Sequence, residues 1–378
     1  MAEDAAGAAL IAAFEQQVRW CAGPAPFSAR VLQASVRWLR SNDEARAELA
    51  AVAPDPLAAA VALRWLAGLH HLALRGLRPW AAVWPPGAGA GTDETDDATL
   101  DTLVGLAWAF QGEALRQALA HPPQTNEVQR SAALVPGLAF VAARTKLPLA
   151  LLEIGASAGL NLWPEHLAVE TPGWRCGPVA APLVLRPSWE GPVPEGVQQP
   201  LEVAFRAACD VQPVDLTAEG EDLRLASFVW ADQRERLERL FAATALVQPL
   251  LAAEGVRVQP ARAATWLRQQ LGLRLPGQTL VLMHSVMWQY LEAAEQAQIT
   301  QLLRAAGAMA TPEAPLAWLR FEPPVPDVAM ELRCRLWLGP DGPGGLEGTE
   351  HLLAHAHPHG ASVRWVAGTD AAAAEPMA

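Results

Sequence analysis

Cysteine, tyrosine and long apolar runs are scarce in this sequence of 378 residues. Its four cysteines lie far apart and never form a C-x-x-C pair, which argues against a zinc knuckle or a disulfide framework. No apolar run approaches the roughly 18 residues of a membrane span, and the acidic start lacks the basic region of a secretory signal. These absences predict a cytoplasmic protein with no membrane partner.

Positive charge is also in deficit, since the formal net charge is -12 at pH 7. A nucleic acid would therefore have to bind against an unfavourable overall field. We expect a small-molecule substrate and no nucleic-acid partner. The sequence does not indicate an oligomeric state.

Apolar residues are plentiful, at 51% of the chain, and the length fits one large or two medium domains. Helical periodicity throughout residues 1–122 predicts an N-terminal all-helical domain. Residues 123–368 form a second domain, in which the Pro-, Gly- and Trp-rich stretch 171–200 is expected to be an inserted loop or hairpin. We expect the tail 369–378 to be disordered.

Strand-like apolar runs alternate with helical segments in the second domain. From 148 to 321 this alternation predicts an α/β fold with a parallel sheet covered on both faces, in which ligands bind at the carboxyl ends of the strands. After the first strand, which begins at Leu149, the predicted strands are 201–208, 256–258, 279–283, 316–321, 331–338, 352–357 and 362–366.

The stretch PLALLEIGASAGLNL, which starts at Pro148, predicts a strand, a tight turn and a helix. Glycine permits positive φ and the close approach of a ligand, and a following helix would direct free N–H groups at that ligand. Two chemistries fit the turn. As E-x-G-x-S-x-G it places a nucleotide-like cofactor beside Glu153; as G-x-S-x-G it is the nucleophile elbow of an α/β-hydrolase, with Ser157 as the attacking group.

Asp210 comes directly after the second predicted strand. A carboxylate at this position can bind both hydroxyls of a ribose, because it accepts two hydrogen bonds at once. The usual gap to such an acid is roughly 20 residues, and we attribute the longer gap in this chain to the insertion 171–200. Asp232 opens a later helix and is expected to be structural.

His284 follows the fourth predicted strand in the segment His-Ser-Val-Met-Trp-Gln-Tyr. Its ordinary pKa suits a general base, and Trp288 and Tyr290 could hold a cation against their ring faces. The alternative is that Ser285 caps a helix while His284 is hydrogen-bonded within the sheet.

The order of apolar strand, Glu153, Gly155, three residues and Gly159 resembles the first motif of class I S-adenosylmethionine-dependent methyltransferases. Five segments, which we call the signature segments, are also similar to a bacterial family catalogued as a domain of unknown function and usually placed near those methyltransferases. They are TNExxR, LLEIGASAGLNL, VWADQ, HSVMWQYL and HPHG. This resemblance, over roughly residues 5–366, implies a Rossmann-like, seven-stranded, mostly parallel sheet and S-adenosylmethionine as cofactor.

The resemblance also implies roles for individual residues. Gly155, Ser157 and Gly159 would cradle the methionine end of the cofactor. Glu153 would contact its ammonium group, and Asp210 would hold its ribose. Further contacts are expected from Ala156, Asn161 and Ser285 and, because many methyltransferases close the preceding helix over the cofactor, from Asn126, Glu127 and Arg130. From the residues alone, Asn126 with Gln129 predicts a capping box at that helix start.

We therefore expect methyl transfer to a small acceptor, with two alternatives. One is a hydrolase in which Ser157 is followed by an acid and then by His357 or His359, although no HGGG-type loop precedes the turn. The other is a non-catalytic module that binds a nucleotide or S-adenosylmethionine. No metal is expected, because His355, His357 and His359 fall on one strand face without a cysteine or a clear carboxylate partner.

Overall fold

The computed structural model of the protein describes residues 2–85, 95–325 and 329–368. They fall into two compact units. The helical unit contains Met1–Thr125 and Ala218–Phe241, and the sheet unit contains Asn126–Thr217 and Ala242–Ala378. Residues 218–241, which the sequence assigned to the second domain, thus group with the N-terminal helices. The predicted disordered tail lies outside the described residues.

The helices of the described residues are α1 (Ala2–Cys21), α2 (Pro26–Ser41), α3 (Asp43–Ala50), α4 (Val61–Leu74), α5 (Trp80–Val83), α6 (Asp97–Ala120), α7 (Ser131–Thr145), α8 (Glu221–Ser227), α9 (Arg234–Glu254), α10 (Ala263–Leu271) and α11 (Ala293–Ala308). None of them, within those ranges, has the length and apolarity that a membrane crossing requires.

The strands are β1 (Leu149–Ile154), β2 (Leu167–Glu170), β3 (Arg175–Cys176), β4 (Leu183–Leu185), β5 (Ser188–Glu190), β6 (Val203–Asp210), β7 (Val258–Pro260), β8 (Thr279–Ser285), β9 (Leu316–Glu322), β10 (Met330–Trp337), β11 (Thr349–Ala356) and β12 (Ser362–Trp365).

The helical unit packs around buried tryptophans, with the ring of Trp65 stacked on that of Trp38 at a centroid distance of 5.4 Å. Asp232 closes the N-terminus of α2. Its carboxylate accepts hydrogen bonds from the amides of Phe27 (2.7 Å) and Ser28 (3.0 Å) and from the Ser28 hydroxyl (2.7 Å). These amides have no partner within the helix itself. Asp232 therefore has a structural task at the start of α2.

The sheet unit contains a nine-stranded sheet in the order β5-β12-β11-β10-β9-β8-β1-β6-β7. The run from β9 to β7 is parallel, whereas β9 to β12 pair antiparallel. The predicted α/β class with a mostly parallel sheet is confirmed, but the described residues form nine strands in this sheet and not seven.

The stretch 171–200, expected to be an inserted loop or hairpin, contributes strands to two sheets. Its last strand, β5, pairs with β12 at the edge of the nine-stranded sheet. The other two, β3 and β4, flank β2 in a three-stranded sheet. Edge and short strands are where proline is tolerated, so the composition excludes a central strand but not these positions.

The helix predicted after Gly159 does not form. Residues Leu160–Leu162 and Pro164–His166 are short 3-10 turns, and the chain then enters β2. Trp163 between the turns has φ -119° and ψ +47°, outside the helical region, and Pro164 lacks the N–H that a continuing helix would use. The glycine turn thus leads from a strand into the small sheet.

The chain order of the parallel strands creates a switch point between β1 and β8. From β1 the chain moves to β6 and β7 on one side, and it then crosses to β8 and β9 on the other. Ligands of open α/β sheets bind outside the carboxyl ends of the strands at such a point. Glu153, in β1, and Ser285, the last residue of β8, lie at this edge.

Candidate functional site at the carboxyl edge of the sheet

Asn126 joins the first signature segment to the glycine turn. Its side-chain oxygen accepts hydrogen bonds from the amides of Ala158 (3.2 Å) and Leu160 (3.1 Å). Helix α7 begins only at Ser131, and a 3-10 turn whose N-cap is Glu127 precedes it. The predicted capping box is therefore wrong: the Asn126 side chain satisfies amides more than 30 positions away.

Arg130 and Gln129 connect the same segment to the HPHG loop and to β8. The Arg130 guanidinium donates to the carbonyl oxygens of Pro358 (3.1 Å) and Ser285 (3.3 Å). The Gln129 side chain donates to the carbonyl oxygen of Gly360 at 3.3 Å. Four of the five signature segments thus meet at the carboxyl edge of β1 and β8, and the fifth, VWADQ, belongs to the helical unit.

The amides of the glycine turn are satisfied within the protein. Ala156 donates to the carbonyl oxygen of Cys209 (3.2 Å), Ser157 to the carboxylate of Asp210 (2.9 Å) and Gly159 to the carbonyl oxygen of Ala156 (2.8 Å). Asn126 accepts from the other two amides of this stretch. The expected row of free N–H groups is therefore absent between 156 and 160. A ligand at the turn would be recognised mainly by side chains.

Three residues of the turn adopt positive φ: Gly155 (+66°), Ser157 (+53°) and Gly159 (+73°). At Gly155 an added Cβ would lie 2.8 Å from Cβ and Cγ of Met287. The predicted close approach to the glycine is therefore made by a side chain of the protein. Ser157 adopts a conformation that residues with a Cβ rarely occupy, and such outliers concentrate at functional sites.

Glu153 is a buried acid, with only 2% of its surface exposed, and its Oε2 atom has no hydrogen-bond partner among the described residues. Asn161 is near enough to its side chain to lower its pKa, and the Ser131 hydroxyl donates to the Asn161 side-chain oxygen at 2.8 Å. Burial, with a smaller contribution from the negative charge of Asp210, raises the pKa of Glu153 to about 8, while Asn161 and the Arg130 charge act in the opposite direction. The raised pKa favours the protonated form of the carboxyl in the folded chain without a ligand.

Asp210 lies beside the turn, as predicted for a residue at the end of its strand. One carboxylate oxygen accepts from the Ser157 amide and the other from the Gln212 amide, each at 2.9 Å. The Ser157 hydroxyl is buried and has no partner in the described chain. A nucleophile elbow requires a histidine within hydrogen-bond distance of the serine hydroxyl. No described histidine lies that close to the Ser157 hydroxyl.

Both ring nitrogens of His284 are engaged. Nδ1 lies 2.7 Å from Oε1 of Glu322, and the indole N–H of Trp318 donates to Nε2 at 3.1 Å. We assign the ring proton to Nδ1, because Glu322 accepts there while Nε2 is itself an acceptor. The Trp288 ring stacks on the imidazole at 5.1 Å. A role for His284 as a base would require the Trp318 contact to break.

Glu322, at the end of β9, is a site residue that sequence reasoning missed. Besides His284, its Oε1 accepts from the amides of Met287 (3.1 Å) and Trp288 (3.3 Å), and its Oε2 is buried without a partner in the described residues. It thereby fixes the loop after β8, in which Val286 has a φ of +53°. The rule that an acid at the carboxyl end of a parallel strand is a site candidate selected Glu153. It would also have selected Glu322 if the fifth predicted strand had been extended by one residue.

Tyr290 and the three C-terminal histidines are not buried. The Tyr290 side chain is 78% exposed. His355 belongs to β11, but His357 and His359 follow that strand in a turn in which the His359 amide donates to Nδ1 of His357 at 3.1 Å. The prediction of one shared strand face is therefore wrong. Within the described ranges, no three His, Cys, Asp or Glu side chains form a metal-binding group.

The fold and this edge define an α/β protein with a buried polar cluster at the switch point of its sheet. The chain belongs to the family described as "Uncharacterized protein conserved in bacteria (DUF2332)", whose model matches residues 11–365. The predicted resemblance to a bacterial family of unknown function is thus confirmed. No curated protein and no solved structure matches the chain, so membership of the methyltransferases stays a prediction.

Proposed function

We propose that the protein binds S-adenosylmethionine at the carboxyl edge of β1 and transfers its methyl group to a small molecule. One observation carries the proposal: two buried polar atoms without a partner in the described residues, Oε2 of Glu153 and the hydroxyl of Ser157, lie on the strand and turn that Asp210 borders. An unsatisfied buried polar group costs about 1–3 kcal/mol. A polar ligand that completes these groups would remove that cost.

The strand order supports the same proposal. In chain order the five parallel strands are arranged 3-2-1-4-5, the doubly wound order of Rossmann-like sheets, whose ligands cross the switch point. The cofactor would supply an electrophilic methyl group on a sulfonium. Glu153 would receive its ammonium group, Ser157 its methionine end, and Asp210 its ribose hydroxyls through lone pairs that the two amides leave available.

The chain's own contribution to transfer would be alignment of the acceptor, since such a displacement depends on the geometry of the reacting atoms. Trp288 presents a half-buried ring beside His284 at this edge. Because both nitrogens of His284 are paired, an acceptor whose lone pair is already free would fit better than one that must lose a proton.

The pairing of both His284 nitrogens also favours a second candidate function, that of a module that binds the cofactor without catalysis. The two candidates predict the same binding and differ in turnover. The hydrolase alternative has less support, because the Ser157 hydroxyl has no histidine partner in the described residues.

Calorimetry of the full chain with S-adenosylmethionine and S-adenosylhomocysteine tests the binding site. We expect a dissociation constant on the order of micromolar and a loss of at least about tenfold in Asp210→Asn. Asp215→Asn is the matched control, because Asp215 also accepts an amide two residues on, that of Thr217 at 3.0 Å, but its carboxylate bonds Thr217 and Arg257 and not an amide of the glycine turn. Binding that is equal in both variants, or no binding at all, contradicts the proposal.

Turnover separates the candidates. Transfer of labelled methyl to a panel of small nucleophiles supports the enzyme, and binding without transfer supports the module. Ester hydrolysis that disappears in Ser157→Ala, without any cofactor binding, would establish the hydrolase instead.

A further inference from the structure

One face of the antiparallel part of the sheet carries charged side chains in an unusual arrangement. Helix α7 packs on the other face, where an added Cβ at Gly137 would lie 3.0 Å from both Leu319 and Leu332. Successive residues of a strand point to opposite faces. Arg320 and Arg333, the neighbours of those leucines, therefore project from the face away from α7.

Like charges lie directly opposite each other on this face. In the β9–β10 register Arg320 pairs with Arg333, and Glu322 pairs with Glu331. Directly opposed like charges destabilise a sheet, whereas opposite charges stabilise it. A face built only for solvent would place glutamate opposite arginine. We call the first pair the arginine row and the second the glutamate row; they are two residues apart, which is about 6.8 Å along a strand.

The charges are only partly compensated within the protein. Arg333 pairs with Glu331 along its own strand at 2.5 Å, and Arg320 pairs with Glu350 of β11. Each row still contains one buried atom without a partner in the described residues: Nε of Arg320 and Oε2 of Glu322. One unsatisfied donor and one unsatisfied acceptor thus belong to residues two positions apart in β9.

The rows adjoin the carboxyl-edge cluster. The Arg320 guanidinium lies over the Trp318 ring at 4.3 Å, and that indole donates its N–H to His284. Glu322 of the glutamate row binds the same histidine. A molecule held between the rows would therefore lie next to Trp318 and the site described above.

We propose that the two rows bind a zwitterionic small molecule, namely an α-amino acid. Its carboxylate would lie on the arginine row, since guanidinium groups match carboxylates with paired hydrogen bonds. Its ammonium group, which has three donors, would lie on the glutamate row. Each charge of the ligand would separate two like charges of the protein. That this amino acid is the methyl acceptor rests on the proposed function.

The test is calorimetry of the full chain with a panel of free α-amino acids, in the absence of S-adenosylmethionine. For each amino acid that binds, the N-acetyl derivative, which lacks the ammonium group, and the amide, which lacks the carboxylate, are measured as well. We expect each derivative to bind at least about tenfold more weakly than its parent. The proposal is overturned if no free amino acid binds, or if a derivative binds as well as its parent.

Two variants assign the rows. Glu331→Gln should abolish the preference for the free amino acid over its N-acetyl derivative, and Arg333→Gln should abolish the preference over the amide. Arg268→Gln is the control, because Arg268 is an exposed residue of helix α10 and not part of the sheet, and should keep both preferences. Unchanged preferences in the row variants would assign the binding to another site and overturn the proposal. Since S-adenosylmethionine is absent, failure of the methyltransferase proposal leaves this result readable.

Discussion

The two units treat the acid of a signature segment in opposite ways. In the helical unit the carboxylate of Asp232 accepts three hydrogen bonds at the start of α2. In the sheet unit Glu153 is buried, its pKa is raised to about 8, and one of its oxygens has no partner in the described residues. Asp232 thus satisfies backbone amides of the fold, whereas the fold leaves one oxygen of Glu153 without a partner in the described residues.

This difference teaches which motif residues need a functional explanation. The fold accounts for Asp232, because the free amides of a helix end require an acceptor. It does not account for Glu153, since a glutamine or an apolar side chain would avoid the cost of burying an acid. A buried group with a strongly shifted pKa at a ligand edge is a functional candidate. A motif by itself does not make this distinction.

Glu153→Gln should have the largest effect, through the pH dependence of stability. Between the ordinary pKa of 4.5 and about 8 the folded chain keeps the Glu153 proton and the unfolded chain loses it. The folded state then binds more protons, so the free energy of unfolding falls as pH rises, by up to about 1.4 kcal/mol per pH unit. The stability that the Glu153 proton contributes to the folded chain is fully present below this pH range and is lost above it. The glutamine variant lacks this titration.

Denaturant unfolding of both proteins across this pH range measures the effect. The native chain should lose stability relative to the variant as pH rises, and the difference should level off above about pH 8. Parallel curves would mean that Glu153 is not a buried acid and would remove the contrast with Asp232.

Asp232→Ala tests the other side of the comparison. Loss of the carboxylate leaves the amides of Phe27 and Ser28 without their acceptor, so we expect a loss of about 2 kcal/mol in the free energy of unfolding. Asp96→Ala is the matched control, because Asp96 caps α6 through a single residue, Thr99, whose amide donates to it at 2.7 Å. It should cost about 1 kcal/mol. Equal losses would show that the extra bonds of Asp232 contribute nothing.

Much of the sheet could be predicted because each strand corresponds to a local apolar run in the sequence. The run predicted at 279–283 is β8 (Thr279–Ser285), and the one at 316–321 is β9 (Leu316–Glu322). The carboxyl-end rule brought Glu153 and Asp210 to one turn, and the two are close enough for the charge of Asp210 to act on Glu153. Both the apolar periodicity and the carboxyl-end rule can be applied without knowing which distant residues are in contact.

What could not be predicted depends on contacts between distant residues. Nothing local to Asn126 indicates that it satisfies the amides of Ala158 and Leu160, and nothing local to Ser188–Glu190 indicates an edge strand beside β12. The same holds for Met287 against Gly155. The need for a partner can be read from a sequence, but its identity is set by tertiary structure.

Gly155→Ala and Gly220→Ala bring the two units into one measurement, in which the expected effect is the difference between the two variants. Both glycines have positive φ, +66° and +79°, so alanine should cost about 1–2 kcal/mol at each. An added Cβ meets nothing within 4 Å at Gly220, whereas at Gly155 it lies 2.8 Å from Met287. Gly155→Ala should therefore destabilise the chain more than Gly220→Ala does.

Met287→Gly, added to Gly155→Ala, should remove most of the difference between the two glycine variants, because the added Cβ would meet Cβ and Cγ of Met287. If Met287 also lies where the cofactor must approach the turn, then Met287→Ala alone should bind S-adenosylmethionine more tightly than the native chain, because no side chain has to be displaced. Recovered stability without tighter binding would show that Gly155 serves only the packing of the β8 loop. Gly155 would then resemble Asp232, a residue that the fold itself explains, and the unpartnered atoms of Glu153 and Ser157 would remain the candidate ligand contacts at this edge.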